Sequence, residues 1–227
     1  METKNFVLVH GAWHGGWCWR RVADRLHARG HRVFTPTLTG LADRSHLLNE
    51  QVNLTTHITD VANLVRWEEL SDIVLCGHSY GGLVVTGVAD KVPERIGALV
   101  YLDAFVPESG QSMNDLRPRA LPTSGYTMAP ISAETFRVNE RDRAWVDRLC
   151  TPHPIACLTE KLVLTGAYRS VQRKMYIRAA AYPSPAFEPT YERVKTDPGW
   201  TAHQLPCGHD VMIDMPDALA ELLEAAL

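Results

Sequence analysis

The chemistry in this chain gathers around Gly77-His78-Ser79-Tyr80-Gly81. The pentapeptide follows a short apolar run, Ile73-Val74-Leu75-Cys76, and precedes an apolar helical segment, Gly82 to Lys91. A strand that turns sharply into a helix strains the backbone at the central residue, and side chains two positions to either side would collide. Glycines at 77 and 81 remove those collisions. The strain lifts the Ser79 hydroxyl off the strand end, and the positive end of the helix points at the same spot. A serine hydroxyl is a poor nucleophile unless an imidazole takes its proton, and the imidazole works best when a carboxylate fixes its tautomer. The partners to seek are therefore a histidine and an acid. In open parallel sheets such groups lie off the carboxyl ends of strands. The residues there are His10-Gly11-Ala12 after the first strand, Ser79 after the third, Asp103 after the fourth, Ala179-Ala180-Ala181 after the fifth and His209 after the sixth.

Those positions presuppose a particular set of elements. Phe6-Val7-Leu8-Val9 reads as a fully buried strand, and Trp17 to Arg29 as a helix stopped by Gly30. His31 to Thr35 is a second strand, Thr37 to Gln51 a loop, and Leu54 to Leu70 a helix. Ile73 to Cys76 and Ile96 to Leu102 are the third and fourth strands. Alternating buried-type strands and helices predict an α/β fold, a mostly parallel sheet covered on both faces. From Glu108 to about Leu164 the alternation breaks, with several prolines and one helix predicted from Ala133 to Leu149. This stretch is too long for a plain connection and reads as a small insertion over the site. Residues 1–107 and 165–227 would form the core, and 108–164 the insertion. Met175 to Ala179 and Trp200 to Leu205 complete six strands, and Pro216 to Leu227 closes the chain as a helix.

The 227 residues suit one domain with a large core. A net charge of -3 and the lack of a basic stripe give no sign of a nucleic-acid partner. No apolar run has the length to span a bilayer, and the start of the chain lacks the pattern of a signal peptide. Five scattered cysteines fit reduced thiols and a cytoplasmic location. Cys207, His209 and His153 match no zinc spacing, so no metal is expected. Gly11, Gly15 and Gly16 do not form a phosphate-binding pattern. His78 is expected to buttress the turn at Ser79, and His10 and His14 to shape the loop after the first strand. Trp13, Phe105, Trp145 and Met212 are candidates for a substrate pocket or ordinary core.

The blocks Phe6 to Trp19, Gly77 to Gly82 and Gly208-His209-Asp210 carry a resemblance over almost the whole chain. It resembles the α/β-hydrolases of the plant methylesterase, salicylate-binding protein and hydroxynitrile lyase group, and more closely their bacterial carboxylesterase relatives, pyrethroid-hydrolysing ones included. The resemblance implies an α/β-hydrolase fold with six strands and a small cap, Ser79 as nucleophile and His209 as base. It also implies an oxyanion hole made by the backbone N–H groups of Ala12 and Tyr80. Tyr80 stands at a helix start with a free N–H, and Ala12 lies in the adjacent loop, which agrees. The group usually carries its acid just after the fifth strand, where this chain has Arg178-Ala179-Ala180-Ala181. Asp103 and Glu188 are the two substitutes. A strand end holds a side chain more firmly than a loop, which favours Asp103.

The expectation is a cofactor-free serine carboxylesterase for small to medium apolar esters, with a homodimer left open. Two rivals stand beside it. One is a small-molecule receptor with the same pocket and little turnover. The other is a C–C lyase on cyanohydrins, which the relatives support with a threonine and a lysine where this chain has Gly11 and Asp210.

Overall fold

The computed structural model describes residues 3–227. In chain order the elements begin with β1 (Asn5–Val9), α1 (Arg20–Ala28), β2 (Arg32–Phe34), α2 (Leu54–Trp67), β3 (Ile73–His78), α3 (Gly81–Lys91) and β4 (Ile96–Leu102). Next come α4 (Met113–Leu116), β5 (Thr127–Met128), α5 (Glu140–Leu149), β6 (His153–Pro154) and α6 (Ile155–Thr159). The chain ends with β7 (Arg173–Ala179), α7 (Glu188–Val194), β8 (Thr201–Leu205), α8 (Val211–Asp214) and α9 (Pro216–Glu224).

Six strands form one parallel sheet in the order β2-β1-β3-β4-β7-β8. Every residue of β3 is buried, as is Phe6 to Val9 of β1. Such strands carry no polar alternation because helices cover both faces. Helix α1 packs against α9, and α2 against α3. The amino end of α2 is set by a capping box: the Asn53 side chain accepts from the Thr56 N–H, and the Thr56 hydroxyl accepts from the Asn53 N–H. Among the described residues no helix is long and apolar enough to cross a membrane, and all five cysteines are free thiols.

Residues 108–164 lie outside the main sheet. They contain α4 to α6 and the antiparallel pair β5–β6. The predicted helix over 133–149 loses its first seven residues, since α5 starts only at Glu140. Arg137 adopts a left-handed φ of 59°. Residues 132–138 close a single turn through the Phe136 N–H to the Ser132 carbonyl and the Val138 N–H to the Ala133 carbonyl, and the Phe136 carbonyl accepts from the His209 backbone N–H at 2.8 Å, so the turn ends in a long-range contact instead of running on into α5. The other boundaries move less. The first helix opens as a 3-10 turn, Gly16–Trp19, before α1, and β3 runs on to His78. The last helix stops at Glu224, and α8 precedes it.

Candidate active site

Between β3 and α3 the Ser79 backbone sits at φ 54°, a left-handed conformation that a serine adopts only under constraint. The constraint is visible in its bonds. The Ser79 N–H donates to the Leu102 carbonyl, and its carbonyl accepts from the Gly82 and Phe105 N–H groups. A Cβ on Gly77 would lie 2.5 Å from the Gly81 carbonyl oxygen, and one on Gly81 would lie 2.9 Å from the His10 and Val9 oxygens. Both clashes are with backbone, so the corner closes only with glycine at these two positions. Ser79 keeps 8% of its surface exposed.

The end of β4 delivers Asp103, also left-handed at φ 42° and fully buried. Its Oδ2 accepts from His209 Nδ1 at 2.6 Å, and its Oδ1 accepts from Arg178 Nη1 at 2.6 Å and from the Ala179 N–H at 3.1 Å. Glu188 goes elsewhere: its side chain is 54% exposed, and its Oε2 accepts from Arg178 Nε at 3.3 Å. The imidazole of His209 therefore faces Asp103 and not Glu188. Since Nδ1 donates to the carboxylate, Nε2 is left as the acceptor nitrogen. Phe187 stacks on the imidazole at 5.4 Å between centroids, and Tyr182 and Phe136 lie at 4.6 and 5.1 Å. The Ser79 hydroxyl and the His209 ring form no hydrogen bond in this structure. Such contacts are commonly long until substrate is bound. Their loops do meet, because His78 Nε2 donates to the His209 carbonyl at 3.0 Å. Burial drives the His78 pKa well below the ordinary histidine value, so this ring is neutral and serves as a brace.

Around the loop after β1, the Ala12 and Tyr80 backbone N–H groups make no hydrogen bond among the described residues. Both belong to segments that abut Ser79. A Cβ on Gly11 would lie 3.0 Å from the Ser79 Cβ and 2.9 Å from His78 Nδ1. The Ala12 carbonyl is fixed by His14, whose Nδ1 donates to it at 2.9 Å while Nε2 donates to Asp210 Oδ2 at 3.1 Å. Burial alone would lower the His14 pKa, but the Asp210 charge outweighs it and the value ends raised. Burial pushes Asp210 upward, and the His14 charge and hydrogen bond pull it down to about 2. His14 and Asp210 are therefore a buried ion pair beneath the loop. His10 has no carboxylate partner, and burial lowers it to about 3. Its Nδ1 donates to the Gly11 carbonyl and its Nε2 accepts from the Leu38 N–H.

Behind Tyr80, the ring atoms of His57 and His153 and the Cys157 sulfur lie within 4.8 Å of one another and are buried. Both His57 nitrogens are occupied: Nε2 donates to the Thr39 carbonyl and Nδ1 accepts from the Tyr80 hydroxyl at 3.0 Å. This grouping reads as packing that orients Tyr80. Sequence spacing gave no hint of it, because it joins α2, β6 and α6. Of the four pocket candidates, Trp13 reaches a pocket with Met113, Leu121, Met128, Leu158 and two arginines, Arg117 and Arg119. Phe105 packs on Phe187, Trp145 packs on Trp17, and Met212 is core.

Arg178 escaped the sequence reading. A signal existed: an arginine inside the buried-type run Met175 to Ala179 has no route to solvent and requires a counter-charge.

The profile of the Alpha/beta hydrolase family matches residues 6–222. The chain is 48% identical over 238 residues to a carbendazim-hydrolysing esterase of Nocardioides sp. (strain SG-4G), covering 97% of this chain and 98% of that one. It is 37% identical over 122 residues to Methylesterase 2 of Arabidopsis thaliana, covering 49% of this chain and 43% of the plant protein. A solved extracellular alpha/beta-hydrolase from a Paenibacillus species, described as sharing structural and functional homology with tobacco salicylic acid binding protein 2, superposes with a TM-score of 0.83. It is 26% identical and covers 98% of both chains.

Proposed function

Because the chain belongs to the alpha/beta hydrolase family, we propose that it is a serine carboxylesterase whose reacting groups are all its own side chains and backbone donors. Ser79 attacks the ester carbonyl, and its proton passes to His209 Nε2. Asp103 holds the imidazole through Nδ1 and stabilises the imidazolium that forms. The Ala12 and Tyr80 N–H groups take the oxyanion. The imidazolium then protonates the departing alcohol, and water repeats the cycle on the acyl-enzyme. The observation that carries this reading is the buried 2.6 Å bond between His209 Nδ1 and Asp103 Oδ2, set beside a left-handed Ser79 between strand and helix.

The substrates are small to medium apolar carboxylic esters. In support, residues 108–164 set Met113, Leu121, Met128 and Leu158, together with Asn114, Arg117 and Arg119, beside Trp13 in the loop after β1. The insertion is tied to that loop: the Trp13 indole donates to the Met128 carbonyl, and the Thr151 N–H donates to the Trp13 carbonyl. The 48% identical esterase relative supports the same reaction class.

The test is steady hydrolysis of p-nitrophenyl butyrate. Ser79→Ala is expected to lower kcat by ~10⁵-fold or more, the scale of nucleophile loss in serine hydrolases. Binding of the ester without sustained turnover would instead make the protein a receptor, and unchanged turnover in Ser79→Ala would refute the mechanism.

A further inference from the structure

We infer that Arg178 is a positioning residue for the acid Asp103; this rests on the esterase reading above. The guanidinium is buried, and its donors are spread over four acceptors. Nη1 donates to Asp103 Oδ1 at 2.6 Å and to the Ala179 carbonyl at 2.5 Å. Nη2 donates to the Tyr182 carbonyl at 2.6 Å, and Nε to Glu188 Oε2 at 3.3 Å. The consequence for Asp103 is a division of labour between its oxygens. Arg178 and the Ala179 N–H take Oδ1, which turns Oδ2 toward His209 Nδ1 and nothing else. A carboxylate without a fixed partner on Oδ1 could rotate and present either oxygen, or neither, to the imidazole.

Charge gives a second reason. Asp103 has no exposed surface, and a buried carboxylate needs an opposite charge as well as hydrogen bonds. Arg178 supplies it through a planar fork that reaches the carboxylate and the strand-end carbonyls together, which a lysine ammonium cannot do. The same guanidinium clamps the turn from Ala179 to Tyr182, and the Tyr182 ring lies 4.6 Å from the His209 ring. Arg178 therefore fixes the imidazole from two directions without touching the reacting atoms. Glu188 completes a row of alternating charge that runs from the surface inward through Arg178 to Asp103.

The experiment is a double-mutant cycle on kcat and KM for p-nitrophenyl butyrate, with rates normalised to sites titrated by a p-nitrophenyl phosphonate. Wild type and Ser79→Ala are measured first, so failure of the esterase reading is seen separately. Arg178→Met is expected to lower kcat by ~100-fold, the scale of a misplaced catalytic group, with KM within threefold of wild type. Arg178→Lys is expected to recover about tenfold of that loss by restoring charge without the fork. Glu188→Gln should stay within threefold, as an exposed ion-pair partner. Asp103→Asn should cost ~10⁴-fold, and in that background Arg178→Met should add less than threefold.

The proposal is overturned if folded, fully titratable Arg178→Met keeps kcat within threefold of wild type, or if its loss multiplies with that of Asp103→Asn. If Arg178→Met does not fold, the cycle is run with Arg178→Lys under the same two criteria. A readout free of turnover is the downfield Nδ1–H proton resonance of His209. It should be present in wild type and Glu188→Gln and lost or displaced in Arg178→Met or Arg178→Lys; an unchanged resonance there overturns the proposal.

Discussion

At the scale of single residues, two buried charge pairs flank the proposed nucleophile and do different work. Asp103 faces the imidazole; Asp210, adjacent to that imidazole in sequence, serves the loop that carries Ala12. His14 links Asp210 to the Ala12 carbonyl, so the backbone just beyond Ala12 depends on this carboxylate, while the Ala12 N–H shares a peptide plane with the Gly11 carbonyl that His10 Nδ1 holds. Asp210→Asn should lower kcat by roughly tenfold by loosening the loop that carries Ala12, the proposed oxyanion donor, and lower stability by about 3 kcal/mol near neutral pH, as removal of one partner from a buried pair does. The pH dependence has a defined sign. Asp210 is depressed to about 2, so its contribution is full above the ordinary aspartate value and fades as pH falls through about 2. His14 is raised, so its contribution is full below about 6.5 and fades as pH rises through its raised value. Urea midpoints from pH 5 to 9 should decline on the alkaline side in wild type, and Asp210→Asn should flatten that decline. Equal slopes for both proteins would refute the pairing.

At the scale of elements, the loop carrying His209 is held by the insertion as much as by the sheet. A Cβ on Gly208 would lie 2.1 Å from the Arg137 carbonyl oxygen and 2.9 Å from that of Phe136, and neither backbone can yield without moving His209. Gly208→Ala should therefore reduce kcat by more than tenfold, while Tm falls by several degrees; a variant with wild-type kcat would show the contact to be dispensable. This contact also explains where sequence stopped being legible. The inner strands β1, β3 and β4 could be read because unbroken apolar runs such as Phe6 to Val9 are decided locally, by burial on both faces, and the more exposed edge strands β2 and β8 from the turn residues that close them. Ser79 followed from its glycines, and Asp103 and His209 from their places after β4 and β8. The segment 133–139 has helical spacing, but Phe136 gives its carbonyl to His209 across the fold, a contact no local pattern encodes. The short α7 and the two-residue β5 and β6 fall below the length at which periodicity can be recognised. Arg178 was hidden for the opposite reason: its position in a strand was plain, while its partners come from β4 and from the turn beyond β7.

At the scale of the whole molecule, the chain buries four neutral histidines: His10, His57, His78 and His153. Burial lowers His10 to about 3, His57 to about 4, and His78 and His153 well below the ordinary value. In the unfolded chain each would take a proton near pH 6.5, whereas in the fold it does not, so acid favours unfolding. Each costs on the order of 1 kcal/mol of stability per pH unit below that point until its folded value is reached. The urea midpoint should fall steeply between pH 6.5 and 4.5, and replacing His10 or His57 by glutamine should make the slope shallower; a flat profile would show these rings to be protonated in the fold. The anchoring of the His209 loop to Phe136 bears on how this fold can be altered. A chimera that received a foreign segment in place of residues 108–164 would exchange the proposed cap and, in the same stroke, discard a main-chain tether of His209, the proposed base. Any graft aimed at new specificity must therefore carry over the Phe136–Arg137 corner, or the recipient will bind its new ester beside a disengaged imidazole.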